Sequence, residues 1–249
     1  MRFKPVITTL AVAVIFSSKL LAEPLADRNG DGLFKIEAFG DSITLGIGDN
    51  AGKSGYTGRL STLLGVPVVN RGLAGEELAQ GGLSRLVQVA RSSESDSFII
   101  LEGVNDSIHL LSTEEYRRLL QISVNILHSM GKSVVLMTLP PPCCDHDGQS
   151  SITPGYSSVI RQLSQVNQTS LADLEMSWIT TCDDIEKCHL YNLPEGLHPN
   201  DQGYQVIAQT IAAALLGIDI FSSEGVLQFE EALGLTPGEV LVKPLEIGE

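Results

Sequence analysis

Short apolar runs alternate along this chain with longer stretches in which apolar positions recur every three to four residues. The short runs fall at 33–39, 66–69, 98–101, 133–139 and 171–174, and helical spacing fills 55–64, 76–91, 113–130 and 155–167. Phe98-Ile99-Ile100-Leu101 and Val134-Val135-Leu136-Met137 show no polar alternation, which predicts strands covered on both faces, as in a parallel sheet. Strand alternating with helix predicts the α/β class, with a parallel sheet in a three-layer α/β/α sandwich. Asn200 is a good N-cap for a last helix through Gln205-Val206-Ile207-Ala208 to Leu216, which Gly217 stops. The domain body is therefore expected over 33–217, after a polar linker at 23–32. Residues 218–249 hold seven acidic side chains against one Lys, with Pro237 and Pro244 as breakers. They are expected to form an acidic C-terminal tail that packs in part on the domain.

Arg2 and Lys4 precede an uncharged run at 6–16, and small residues follow at Ser17, Ser18 and Ala22. This pattern predicts a secretory signal peptide over 1–22 and export to the periplasm or the extracellular space. No uncharged apolar run approaches the ~20 residues that span a bilayer, so no integral membrane span is expected. Cys143, Cys144, Cys182 and Cys188 suit an oxidising compartment and allow up to two disulfides, in any of the pairings open to four cysteines. Interleaved His146 and His189 make zinc the alternative, but no C-x-x-C pair is present.

Charge narrows the partners. The 249 residues carry 16 basic and 30 acidic side chains, a formal net charge of −14, and phosphate backbones require clustered Lys and Arg. Nucleic acid is excluded on that ground. Gly52-Lys53-Ser54 resembles the end of a phosphate-binding loop, but the pattern needs Gly where Ile47 stands. Asp27-Arg28-Asn29-Gly30-Asp31-Gly32 matches half of a calcium loop, whose twelfth position is Ala38 rather than Glu. A turn rich in Asp, Asn and Gly is the plainer reading, and no cofactor or metal is expected.

In an α/β sheet the loops after the strand C-terminal ends converge on one crevice. Here they are Phe39-Gly40-Asp41-Ser42, Asn70-Arg71-Gly72-Leu73-Ala74-Gly75 and Glu102-Gly103-Val104-Asn105-Asp106. A serine nucleophile needs a base, and Glu195-Gly196-Leu197-His198-Pro199 supplies an imidazole with a carboxylate three residues earlier. Asp183 and Asp184 are rival acids, and a Ser-His dyad is also open. Asp41 and Asp106 are read as turn residues that bond local backbone. His109 and His128 are read as ordinary helix residues, and Trp178 as core.

Gly40-Asp41-Ser42, Gly75, Gly103-x-Asn105-Asp106 and His198-Pro199, in that order, resemble the GDSL or SGNH hydrolase family over roughly 33–217. The resemblance implies a flavodoxin-like sheet and metal-free hydrolysis of acyl esters or thioesters. It also implies Ser42 as nucleophile, His198 as base, and an oxyanion hole made by the Ser42 N–H, the Gly75 N–H and the Asn105 amide. The family usually has Asp where Glu195 stands. Small acyl esters, acetylated carbohydrate, lysophospholipids and thioesters all suit that machinery. The competing non-enzyme expectation is a binding module for acylated polysaccharide, which would need none of these groups.

Overall fold

Five fully buried residues, Ile36–Gly40, make β1, the strand on which the architecture turns. In the computed structural model, which describes residues 25–245, β1 pairs in parallel with β2 (Val68–Gly72) on one side and β3 (Ser97–Leu101) on the other. β4 (Ser133–Met137) and β5 (Ser170–Ala172) complete a sheet of order β2-β1-β3-β4-β5. All pairings are parallel, the flavodoxin-like order whose topological switch lies between β1 and β3. The predicted signal peptide at 1–22 lies outside the described residues.

Helices cover both faces, as the apolar strands require. On one side lie α2 (Gly55–Leu64), α7 (Leu174–Thr181) and α8 (Asp201–Leu216). On the other lie α3 (Leu83–Ser92), α5 (Thr113–Ser129) and α6 (Thr153–Asn167). The short α1 (Ser42–Leu45) and α4 (Val104–Ile108) follow β1 and β3 directly. As the sequence predicts, Asn200 caps α8, accepting from the Gln202 and Gly203 N–H groups, and Gly217 ends it at φ 69°.

Several boundaries differ from the sequence expectation, each for a local reason. The first strand starts at Ile36, because the preceding turn is occupied: Asp27 accepts from Gly30, Asp31 and Gly32 N–H, and the Lys35 ammonium sits 2.5 Å from Asp31. The second strand starts at Val68, because Pro67 has no N–H for the ladder and uses only its carbonyl, to Ile36. The expected helix at 76–91 is two pieces, a π turn at Leu78–Gly82 and then α3, with the break where Gly81 takes φ 115°. The fifth strand ends at Ala172, since Asp173 caps α7 by accepting from the Met176 N–H. Apolar spacing did not announce α7.

Beyond Gly217 the chain forms α9 (Ser223–Leu233), capped by Ser222. Ile220, Phe229 and Val242 are buried with the core. Full burial of a Phe side chain is worth ~1.5–3 kcal/mol, which fastens this acidic segment to the body.

Candidate active site

The strand ends at the β1/β3 switch carry the polar groups singled out in the sequence. Asp41 caps α1 through its bond from the Ile43 N–H, 2.9 Å, and so sets Ser42 at the first position of that helix, almost buried. Across the crevice, Asn200 and a bridge between Tyr191 and Pro199 fix the segment before α8. This brings His198 Nε2 to 2.9 Å from Ser42 Oγ, across 156 residues of sequence.

Glu195 Oε1 lies 2.7 Å from His198 Nδ1, while Oε2 accepts the backbone N–H groups of Leu197 and His198 at 3.1 and 2.8 Å. Partial burial works against its charge. The two backbone donors, and then the imidazole, outweigh that cost and hold its carboxyl below the usual range. Asp183 and Asp184, the rival acids, are exposed, and Asp184 pairs with Lys187 at 3.0 Å.

Asn105, at the start of α4, turns its amide toward the same crevice, donating to the Glu76 carbonyl at 2.9 Å with Asp41 Oδ2 at 3.5 Å. Gly75 stands at φ 75°, a left-handed conformation that costs Gly little and turns the loop after β2. Behind that loop Arg85 binds Glu76, the Arg71 carbonyl and, at 3.4 Å, the Gly40 carbonyl, with its guanidinium 4.0 Å over the Phe39 ring. One side chain thus ties the ends of β1 and β2 to the Gly75-Glu76 loop.

Asp106 accepts from the Leu78 and Ala79 N–H groups at 3.0 and 3.1 Å, so it bonds not local backbone, as expected and as Asp41 does, but a segment 27 and 28 residues away, because its buried side chain faces the turn after the Gly75-Glu76 loop. His109 is exposed and pairs with Glu77 at 2.9 Å. Trp178 is fully buried, its ring 5.8 Å from that of Tyr191. Cys182 and Cys188 form a disulfide, which removes two of the sulfurs a zinc site would need. Cys143 and Cys144 are not bonded.

Of two further site neighbours, Asn192 has no counterpart in the sequence analysis, and His146 figures there only as a zinc alternative. Asn192 Nδ2 donates to the Pro199 carbonyl at 3.0 Å and the Gly48 carbonyl at 3.3 Å, clamping the His198 segment to the loop after Ser42. His146 Nε2 lies 3.5 Å from Glu195 Oε1. Neither sits in a spacing pattern that signals a place beside the triad.

Beneath the site is a buried acidic group. Burial first, and then the neighbouring carboxyls Glu76 and Asp106, raise Asp41 to about 7 despite the Ile43 N–H. Burial, and then Asp41, push Glu102 well above the carboxylate range, and both its oxygens lack hydrogen-bond partners among the described residues. Folded protein thus holds the Glu102 proton more tightly than unfolded chain does. Stability from this group is fully present below the unfolded pKa of about 4.5 and is lost as pH rises through the folded value. Glu102→Gln, neutral in both states, is therefore expected to match wild type in urea melts near pH 4 and to be more stable by ~1–3 kcal/mol at pH 8, the scale of an unsatisfied buried polar group. A gain that is equal at both pH values would contradict a protonated Glu102.

The profile of the GDSL-like lipase/acylhydrolase family matches residues 38–206. No curated protein matches the chain. Among solved structures, the acetyl xylan esterase AlAXEase is 23% identical with a TM-score of 0.62, covering 73% of this chain and 99% of its own. LAE5, an alpha/beta hydrolase enzyme from the metagenome of Lake Arreo, Spain, is 25% identical with a TM-score of 0.59, covering 73% and 94%. The psychrotrophic esterase EstA from Pseudoalteromonas sp., whose structure is inhibited by monoethylphosphonate, is 19% identical with a TM-score of 0.59, covering 73% and 96%.

Proposed function

The chain belongs to the GDSL-like lipase/acylhydrolase family and is a carboxylic ester hydrolase, and from that premise we propose that it cleaves acyl esters by a Ser42, His198, Glu195 triad. The observation that carries the reading is the unbroken chain of contacts from Ser42 Oγ through the imidazole to the Glu195 carboxylate, 2.9 and 2.7 Å.

Ser42 Oγ attacks the ester carbonyl as His198 Nε2 takes its proton, because an un-ionised hydroxyl is a poor nucleophile. Glu195 keeps the other ring nitrogen protonated and stabilises the imidazolium. The tetrahedral oxyanion is received by the Ser42 and Gly75 N–H groups and by the Asn105 amide. One Asn105 hydrogen is held by the Glu76 carbonyl at 2.9 Å, and the other, only 3.5 Å from Asp41 Oδ2, exchanges that long contact for the oxyanion. Collapse passes the proton to the leaving alcohol, and water then repeats the sequence on the acyl-enzyme.

The ester cleaved is a small acyl ester, an acetylated carbohydrate, an aryl ester or a lysophospholipid. Thioesters follow the same path. We place the enzyme in the periplasm or outside the cell, a reading that the Cys182 to Cys188 disulfide supports. Among the described residues no helix is long and apolar enough to cross a membrane.

The test is a series of nitrophenyl esters of increasing acyl length, assayed on cytoplasmic and extracytoplasmic fractions. Hydrolysis is expected in the extracytoplasmic fraction, from protein beginning at Glu23, with the acyl-length optimum defining the substrate. Absence of hydrolysis at every chain length would overturn ester cleavage, and active protein retained in the cytoplasm with Met1 intact would overturn export.

A further inference from the structure

Cys143 and Cys144 follow β4 and lie against the loop that carries Glu195. The contact is made on both sides of that acid. The Cys143 N–H donates to the Gly196 carbonyl at 3.0 Å, and the Asp145 N–H donates to the Pro194 carbonyl at 3.3 Å. Gly196 has φ 74°, and a Cβ there would stand 2.5 Å from the Cys143 carbonyl oxygen and 2.7 Å from its sulfur. No side chain fits between the dicysteine and the acid loop.

The two sulfurs are 2.6 Å apart, nearer to the ~2.05 Å of a disulfide than independent thiols pack. Cys144 takes φ 61°, a left-handed conformation that a non-glycine residue adopts under constraint. Cys182 and Cys188 are bonded to each other. The chain has four cysteines, so each member of the remaining pair has only the other as partner.

The geometry points to a modification site: Cys143 and Cys144 close a vicinal disulfide by exchange with a low-molecular-weight disulfide, and the closed ring braces the loop that holds Glu195. Burial, and then the neighbouring Cys144, push the Cys143 thiol up to about 12, so the half-buried Cys144 makes the first attack. Its thiolate displaces one thiolate from the external disulfide and leaves a mixed disulfide on Cys144. Cys143 Sγ, losing its proton to solvent, then attacks Cys144 Sγ and expels the second thiolate. The external disulfide is reduced to two thiols as the protein dithiol is oxidised. The Cys144 S–H donates to the Glu186 carbonyl at 3.2 Å, a bond that is given up as the thiol ionises for attack.

The bracing role rests on the triad reading, but ring formation does not, so the experiment has two arms. In the first, the full chain is incubated with glutathione disulfide, alkylated without reduction, digested and weighed. The peptide bearing both residues is expected unalkylated and lighter than the dithiol by two hydrogens. Alkylation of both cysteines, a retained glutathione, or a cross-link to Cys182 or Cys188 would each overturn the ring.

In the second arm, wild type and the Cys143→Ala/Cys144→Ala double variant are assayed before and after dithiol reduction. Both proteins keep Cys182 and Cys188, so that bond contributes equally. Wild type is expected to lose ~10-fold or more in kcat beyond any loss in the double variant, with KM little changed, because a small misplacement of a catalytic group is felt in kcat. Equal losses in the two proteins would overturn the bracing. No ester hydrolysis in any state would count against the triad reading, with the mass arm still deciding the ring.

Discussion

Ser42→Ala and His198→Ala are each expected to cut kcat by ~10⁵–10⁶ while leaving the fold intact, and the double variant is expected to be little worse than either. In the proposed mechanism the two side chains act as one proton-transfer unit across their 2.9 Å contact, so loss of either member removes the unit. What survives is the contribution of binding and of the oxyanion donors, ~10³–10⁴ over water in triad enzymes. Stability should barely move, since Ser42 gives up one hydroxyl and His198 keeps a fifth of its side chain in solvent. A phosphonate ester should label Ser42 covalently in wild type and leave Ser42→Ala unmodified, because the tetrahedral adduct needs the attacking oxygen. Turnover within tenfold of wild type in either single variant, or labelling elsewhere, would remove Ser42 from the nucleophile's role.

The centre of the sheet was legible because β3 and β4 are almost wholly apolar: 98–101 and 133–139 map onto them with a shift of one or two residues, whereas the edge strand β2, with Asn70 and Arg71, overlaps its expected run only at Val68 and Val69. Burial on both faces leaves no room for polar alternation, and that constraint is written residue by residue. Helix α7 was missed for the opposite reason. Leu174–Thr181 is a short helix with apolar residues on every side, so it carries almost no amphipathic signal; only Asp173, a good N-cap, marked its start. The order of the site residues was visible as well, since each follows a strand end or precedes a capped helix. What sequence could not supply was contact between distant segments. Asn192 meets Gly48 across 144 residues, and the dicysteine reaches Gly196 across more than fifty, with no local pattern to record either approach. The choice among Glu195, Asp183 and Asp184 was of this kind, because all three lie upstream of His198 on one irregular segment.

Glu195 is where the chain departs from its family's usual Asp, and two substitutions separate charge from reach. Glu195→Gln keeps the side-chain length but loses the charge, and the amide can present its N–H to the imidazole, stabilising the wrong tautomer and failing to balance the imidazolium. It is expected to lower kcat by ~10³–10⁴ with KM nearly unchanged, as when a triad carboxylate becomes an amide. Glu195→Asp keeps the charge one methylene short. Because Oε2 is held by the Leu197 and His198 N–H groups, a shorter acid must choose between these donors and the imidazole, and a loss of ~10-fold is expected as orientation is relaxed. The acid's folded pKa is depressed by those same donors. Its contribution is therefore present above the normal carboxylate pKa and lost as pH falls through the depressed value, which keeps wild-type orientation intact into mildly acidic solution. If Glu195→Gln instead turns over like wild type, the imidazole needs no carboxylate, and the enzyme works as a Ser42-His198 dyad.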